Sequence, residues 1–222
     1  MTADPLALFV FDLAGTTVID DGHVRQSFIR TAADFGLAIE RDALRPFFGW
    51  HKQRVFEALL ARAGRDLEPA AAMAEHFARV FAADVAARPL RPTPGCREAI
   101  ALLQARGILV AFNTGFARST ADLVLAALGY GHLPSVASDE VQNGRPAPDL
   151  IRAAMQRTGV TDADRVGVAG DTPADLGAGH AAGCRFNVGV ATGAFTRADL
   201  AEHPHTHLLA DLRGLSAIVT DG

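Results

Sequence analysis

Asp12 closes an apolar run, residues 7–11, and leads into Leu13-Ala14-Gly15-Thr16-Thr17. A carboxylate at the end of a strand buried on both faces points into the space beyond that strand, and Gly15 permits the tight turn that follows. Asn113-Thr114-Gly115 follows a second apolar run, residues 108–112. A short polar side chain there can hydrogen-bond an oxyanion, and it can equally serve as a helix N-cap. Arg145, held between Gly144 and Pro146, can neutralise anionic charge and orient a nucleophile, or can be a surface arginine in a turn. Asp171 and Asp175, in Gly170-Asp171-Thr172-Pro173-Ala174-Asp175, follow a third apolar run, residues 166–169. Two carboxylates at such a strand–helix junction can hold a hard cation, or cap the helix. Each plain alternative is reasonable by itself. Four polar segments in this order, each next to a strand or helix start, point together to one site.

A further group stands apart by type. Of the 21 basic residues, Lys52 is the only lysine. Coding bias towards arginine explains the rest, and chance survival would explain one lysine. Arginine replaces lysine as a surface charge, but it cannot act as an amine nucleophile.

These residues need elements to position them. The run at 7–11 reads as a buried strand. A mostly helical stretch follows, from about 23 to 87, with apolar residues at helical spacing in Phe28, Ala32 and Phe35 and in Val55, Leu59 and Leu60. Phe77, Val80 and Phe81 have the same spacing and read as its interior. The proline-rich stretch from Arg88-Pro89 to Pro94-Gly95 reads as a linker. Strands at 108–112, 135–137, 166–169 and 185–188 then alternate with helices at 96–106, 117–128, 149–158 and 174–182. Such alternation predicts an α/β fold, a Rossmann-like parallel sheet covered on both faces. The core is expected to comprise residues 1–18 and 90–222, with a helical cap, residues 19–89, inserted after the first strand. Ligands of open α/β sheets bind at the carboxyl ends of strands, so the insertion would sit above the site.

Composition narrows the function classes. The net charge is −4 with no basic block, which excludes an obvious nucleic-acid surface. No apolar run reaches the ~18 residues that span a bilayer, and the N-terminus lacks a basic stretch followed by a signal-like apolar segment. The expectation is a cytoplasmic chain without membrane or nucleic-acid partners. Cys96 and Cys184 have no metal-ligand spacing and read as reduced core thiols. His203, His205 and His207 would share a face if they lay on a strand, but Pro204 and polar neighbours favour an exposed loop before Leu208-Leu209.

With these four segments, the chain resembles the haloacid dehalogenase-like (HAD) superfamily over essentially its whole length. The resemblance implies that Asp12 is a nucleophile and magnesium ligand, that the Ala14 carbonyl and Asp171 are further ligands, and that Asp175 is a direct or water-mediated one. Arg145 would balance charge. Mg2+ would neutralise phosphate oxygens, and an aspartyl-phosphate would form and be hydrolysed. The second motif departs from the superfamily, because Asn113 stands where Ser or Thr is usual; either Asn113 or Thr114 would touch the phosphate.

Ala14 divides the superfamily further. Most HAD phosphatases carry Asp there to protonate the departing alcohol, and Ala cannot do so. A carbon leaving group needs an electron sink instead, which a lysine imine supplies. Asp12-Leu-Ala-Gly-Thr-Thr-Val18, Gly49-Trp-His-Lys52, Thr114-Gly115-Phe116, Gly144-Arg-Pro-Ala-Pro-Asp149 and Gly170-Asp-Thr-Pro-Ala-Asp175 resemble the phosphonatase-like group, the phosphonoacetaldehyde hydrolases among them. That resemblance makes Lys52 the imine-forming residue, with burial and nearby Arg145 lowering its pKa. Gly15, Thr16, Trp50, His51, Gly115 and Phe116 become candidate substrate contacts, Trp50 equally a structural contact. Departures are Val55 in place of a family His, Phe116 in place of a Tyr, and no family Cys near Gly22 and His23; His51 or His23 would have to carry protons. The substrate is then phosphonoacetaldehyde or a related small phosphonate, and a cap-mediated homodimer is expected. Hydrolysis of a small phosphate monoester is the alternative. A dehalogenase would have no need of Asp171 and Asp175, and a non-enzymatic module no need of the whole set.

Overall fold

A computed structural model describes residues 5–220; residues 1–4 and 221–222, the ends of the expected core, lie outside the described residues. Strand β1, Leu8–Phe11, is completely buried. It pairs in parallel with β2, Leu109–Asn113, on one side and with β4, Val166–Gly170, on the other. With β3 (Ser135–Val136), β5 (Phe186–Val190) and β6 (His207–Leu209), the described residues form one parallel sheet of order β3-β2-β1-β4-β5-β6.

Both faces of the sheet are covered, which is why β1 carries no polar residue. Phe9 and Phe11 face one core with Ile100, Leu103, Val124 and Leu125, from helices α4 (Cys96–Ala105) and α5 (Arg118–Leu128). Leu8 and Val10 face the other with Leu150, Ile151 and Ala154 of α6 (Asp149–Thr158) and Ala178 of α7 (Pro173–Ala182). Alternate side chains along one strand thus serve two interiors, and a continuous apolar run is the result.

Between β1 and α4 the chain forms helices α1 (His23–Asp34), α2 (Lys52–Arg62) and α3 (Ala70–Ala87), with a 3-10 segment at Arg41–Phe47. Phe28 of α1, Phe56 of α2 and Phe77 of α3 meet at centroid distances of 4.7–6.5 Å. Phe77 and Phe81 continue this cluster, as their spacing predicts, while Val80 is half-buried. Phe116, beyond β2, packs on Phe81 at 5.0 Å and so ties the helices to the sheet's end. The chain crosses between the two regions twice, side by side: the Ile19 N–H donates to the Arg91 carbonyl at 2.9 Å, and Thr93 N–H to the Thr17 carbonyl at 3.0 Å.

The observed elements agree with the expected ones to within a residue or two, with one correction. The loop expected before Leu208-Leu209 ends one residue earlier, because β6 begins at His207, so His207 lies in a strand. Three half-buried residues at a sheet edge carry too little periodicity to announce a strand. His203 and His205 remain outside it; their interactions are local, His205 Nδ1 with the His203 carbonyl at 2.7 Å and His207 Nδ1 with Thr206 Oγ1 at 3.0 Å. Short helices α8 (Arg197–Ala201) and α9 (Leu215–Thr220) complete the described residues.

Candidate active site

Parallel register brings three polar strand ends together. Phe11 is level with Phe112 and Ala169, so Asp12, Asn113 and Gly170 emerge side by side. The Asp12 N–H donates to the Ala169 carbonyl at 3.0 Å. Strand order reverses at β1, where ligands of such sheets bind. Asp171 follows β4 directly, and Asp175 sits in the first turn of α7, the side chains of Thr172 and Asp175 forming a reciprocal capping box.

Arg145 joins these parts. Its guanidinium is buried, and Nη1 reaches Asp12 Oδ1 at 2.7 Å and Asp175 Oδ1 at 2.6 Å. Nη2 donates to the Asn113 carbonyl at 2.9 Å and also to Asn113 Oδ1. The other oxygen of Asp175 accepts from Thr172 N–H at 3.0 Å and Thr172 Oγ1 at 2.6 Å. Asp175 therefore serves both as a helix cap and as part of the charged cluster.

Asp12, Asp171 and Asp175 each offer an oxygen within 4.8 Å of the others, all three buried. One guanidinium faces three carboxylates. Burial pushes Asp12 up to about 6, with Arg145 pulling it down and Asp175 adding to the rise. Burial, then Asp12 and Asp175, raise Asp171 well above the carboxylate range. This oxygen-only, anionic donor set fits a hard divalent cation, which would relieve that repulsion. Thr16 Oγ1 donates to Asp171 Oδ1 at 3.1 Å and fixes its orientation. Gly15 adopts φ +91°, and a Cβ on it would fall 2.4 Å from Asp171 Oδ2. The turn needs glycine both for its backbone and for the carboxylate that presses on it.

A cavity of roughly 300 Å³ is lined by Asp12, Ala14 and Asp171 from the strand ends and by Arg25, Phe48 and Lys52 from the inserted helical stretch. Lys52, the first residue of α2, is buried. Its Nζ donates to the Trp50 carbonyl at 3.2 Å and lies 4.6 Å from the Phe116 ring centroid, with Phe28 and Phe77 at 5.8 and 5.9 Å. Burial lowers its pKa to about 8, Asp12 opposing that shift and Arg145 adding to it. About a tenth of such an amine is unprotonated at pH 7, far more than for an ordinary lysine.

The other expected residues divide. Gly15, Thr114, Gly115 and Phe116 line the cavity. Between the two candidates of the second motif, Thr114 borders the cavity while the Asn113 side chain turns to Arg145. Asn113 is not a helix cap, since α5 is capped at Ala117. Thr16, Trp50 and His51 are not among the lining residues. Trp50 stacks edge-on against Phe47 at 5.5 Å, and the His51 Nδ1 is buried without a hydrogen-bond partner. His23 is committed to Asp84 at 2.6 Å. Cys96 and Cys184 are free thiols that burial pushes up to about 12.

Asp20, Arg25, Thr192 and Gly193 line the cavity without having been expected there. Thr192 and Gly193 follow β5, so the strand-end pattern that marks Asp12 and Asp171 also marks them. Asp20 and Arg25 flank the start of α1 and look in sequence like any helix cap and any surface arginine.

A family model of haloacid dehalogenase-like hydrolases matches residues 6–183. The chain belongs to this family. As a HAD-like hydrolase it is 30% identical to a phosphonoacetaldehyde hydrolase of Hahella chejuensis, over 85% of this chain and 69% of that one. It is 32% identical to one of Bacillus cereus, over 83% of this chain and 75% of that one. A solved hydrolase from Pseudomonas syringae superposes with TM-score 0.87 at 21% identity, covering 97% of this chain and 98% of that one. This last likeness concerns the fold. No described helix of this HAD-like hydrolase is long and apolar enough to cross a membrane.

Proposed function

We propose that this hydrolase cleaves the P–C bond of phosphonoacetaldehyde or a related small phosphonate carrying a carbonyl two atoms from phosphorus. One observation carries the reading: the chain's only lysine lies buried in the same cavity as Asp12, with a pKa near 8, while position 14 holds Ala and offers no acid for an ester leaving group. The names of the 30–32% identical relatives support it.

In this reading the Lys52 amine adds to the carbonyl carbon and expels water, giving a cationic imine. Asp12 attacks phosphorus, and the electron pair of the breaking P–C bond moves into the imine as an enamine. Carbon protonation and addition of water release the aldehyde and free Lys52. A second water hydrolyses the aspartyl-phosphate, so the net reaction consumes one water. Arg145 holds Asp12 and Asp175 in place throughout, and Thr114 is positioned to donate to a phosphoryl oxygen. Asp12, Asp171 and Asp175, with the Ala14 carbonyl, would hold Mg2+, which supplies charge neutralisation at phosphorus. The apolar wall of Phe28, Phe77 and Phe116 keeps water from the amine and its pKa low. Residues 19–89 act as a cap that opens for substrate.

The test is incubation with phosphonoacetaldehyde and Mg2+, then borohydride, then peptide mass. A reduced two-carbon adduct on Lys52 together with phosphate release is the expected result. If neither adduct nor phosphate forms, the phosphonoacetaldehyde assignment falls, and the P–C reading then rests on other carbonyl-bearing phosphonates.

One observation favours a second reading, hydrolysis of a small phosphate monoester. Asp20 lines the cavity, and burial raises its pKa above the ordinary carboxylate value. It is an acid able to protonate a departing alcohol in place of residue 14. Ester turnover that is lost in Asp20→Asn would establish this alternative.

A further inference from the structure

Arg25 lies in the first turn of α1 and lines the same cavity as Asp12 and Asp171 at the strand ends. Lys52 and Arg25 are the two basic side chains among the lining residues. Their situations differ. Lys52 is wrapped by aromatic rings and its Nζ donates to the Trp50 carbonyl. The Arg25 Nε is buried and has no hydrogen-bond partner, and its guanidinium sits over the Phe48 ring, 5.6 Å from the centroid. A buried donor left unpaired is costly, and proteins retain one where a ligand completes it. Arg145 cannot take that role for the far end of a substrate, because Asp12, Asp175 and Asn113 already engage it.

Neither nearby acid hydrogen-bonds the Arg25 guanidinium: Asp20, which feels its charge, accepts from Val24 N–H through Oδ1 at 2.9 Å, and Asp21 pairs with Arg91 at 2.7 Å. A planar guanidinium backed by an aromatic ring, with a free donor edge, suits a carboxylate. Phosphonoacetaldehyde has nothing to offer it.

We infer that Arg25 binds a carboxylate at the end of the substrate remote from phosphorus. The substrate class is then a phosphonate whose carbonyl carbon carries a carboxylate, the phosphoryl group lying at Asp12, the carbonyl at Lys52 and the carboxylate at Arg25. The order of groups rests on the P–C cleavage reading; the carboxylate contact itself does not.

Two inert ligands separate these points. 3-Phosphonopropionate and propylphosphonate share a three-carbon chain and lack an aldehyde or ketone, so neither forms an imine. They differ in a terminal carboxylate against a methyl group. Calorimetric titration with Mg2+ present is expected to show the carboxylate ligand binding about tenfold tighter to the native protein, as one charge-assisted contact warrants. Arg25→Gln brings the ratio close to one, and Arg25→Lys restores part of it, with melting curves confirming that both variants fold. Equal affinities for the two ligands in the native protein, or a ratio unchanged in Arg25→Gln, overturns the inference. Phosphate release from 3-phosphonopyruvate and phosphonoacetaldehyde is assayed beside it. Absence of phosphate from both sinks the P–C reading while the binding ratio still decides the role of Arg25.

Discussion

The chemistry of single residues turns on two opposite pKa shifts in one cavity. Lys52 is lowered to about 8 and Asp12 raised to about 6, each chiefly by burial. Capture of an aldehyde on Lys52 is therefore expected to quicken as pH rises through about 8, then level off; trapping rates measured between pH 6 and 10 check this. Lys52→Arg keeps the charge and removes the amine nucleophile. It is expected to lower phosphate release from phosphonoacetaldehyde at least about 10³-fold, with no borohydride adduct. Asp12 gives a stability prediction. Its folded pKa lies above the ordinary carboxylate value, so the folded state favours the protonated form. The penalty is absent well below pH 4, grows as pH rises, and is complete above about 6. Metal-free Asp12→Asn should gain melting temperature relative to the native protein, more at pH 7 than at pH 5. A gain that shrinks with pH contradicts this assignment.

Individual elements were legible in proportion to how much their neighbours let them show. β1 is continuously apolar because helices cover both of its faces, and α6 begins and ends where Asp149 and Gly159 predict. β6 was invisible, being three half-buried residues at an edge. The loop 48–51 shows a further constraint that spacing cannot reveal. A Cβ on Gly115 would lie 2.5 Å from the Gly49 carbonyl oxygen and 2.7 Å from that of Trp50. Both obstacles are backbone, so Gly115→Ala must push the loop and Lys52 away from Thr114. The expected result is a loss of about 1–3 kcal/mol in stability and a severalfold rise in KM, read from denaturant melts and steady-state kinetics. Wild-type values for both would show that the loop is not held against the second motif.

For the whole molecule, the cation and the two chain crossings are the quantities to measure. Mg2+ at about 100 times its Kd should add about 2.7 kcal/mol to stability, and Asp171→Asn should remove most of that gain. Unchanged melting on addition of Mg2+ would separate the acidic cluster from metal binding. Crossings at Ile19 and Arg91 lie side by side and are joined by backbone hydrogen bonds, an arrangement suited to a hinge. Substrate analogue plus Mg2+ should slow proteolytic cleavage at residues 19–22 and 88–92 severalfold, if closing of the helical region accompanies binding.

The amino-acid sequence alone determined the α/β class, the order of elements, and the set Asp12, Arg145, Asp171 and Asp175. It did so because a parallel sheet covered on both faces imposes continuous apolar strands, because Asp12 and Asp171 directly follow two of them, and because Arg145 and Asp175 stand in the turn before one helix and the first turn of another. It also singled out Lys52 by type. Tertiary structure decided what spacing does not encode. Register set Asp12 beside Asn113 and Gly170, which turned the Asn113 side chain to Arg145 and left Thr114 at the cavity. Packing of α1 and α2 over the strand ends put Lys52 among Phe28, Phe77 and Phe116 and brought Arg25 and Asp20 to the cavity, while Trp50 and His51, next to Lys52 in the chain, do not line it. Adjacent residues in a loop point in different directions, so proximity along the chain does not fix which of them a substrate meets.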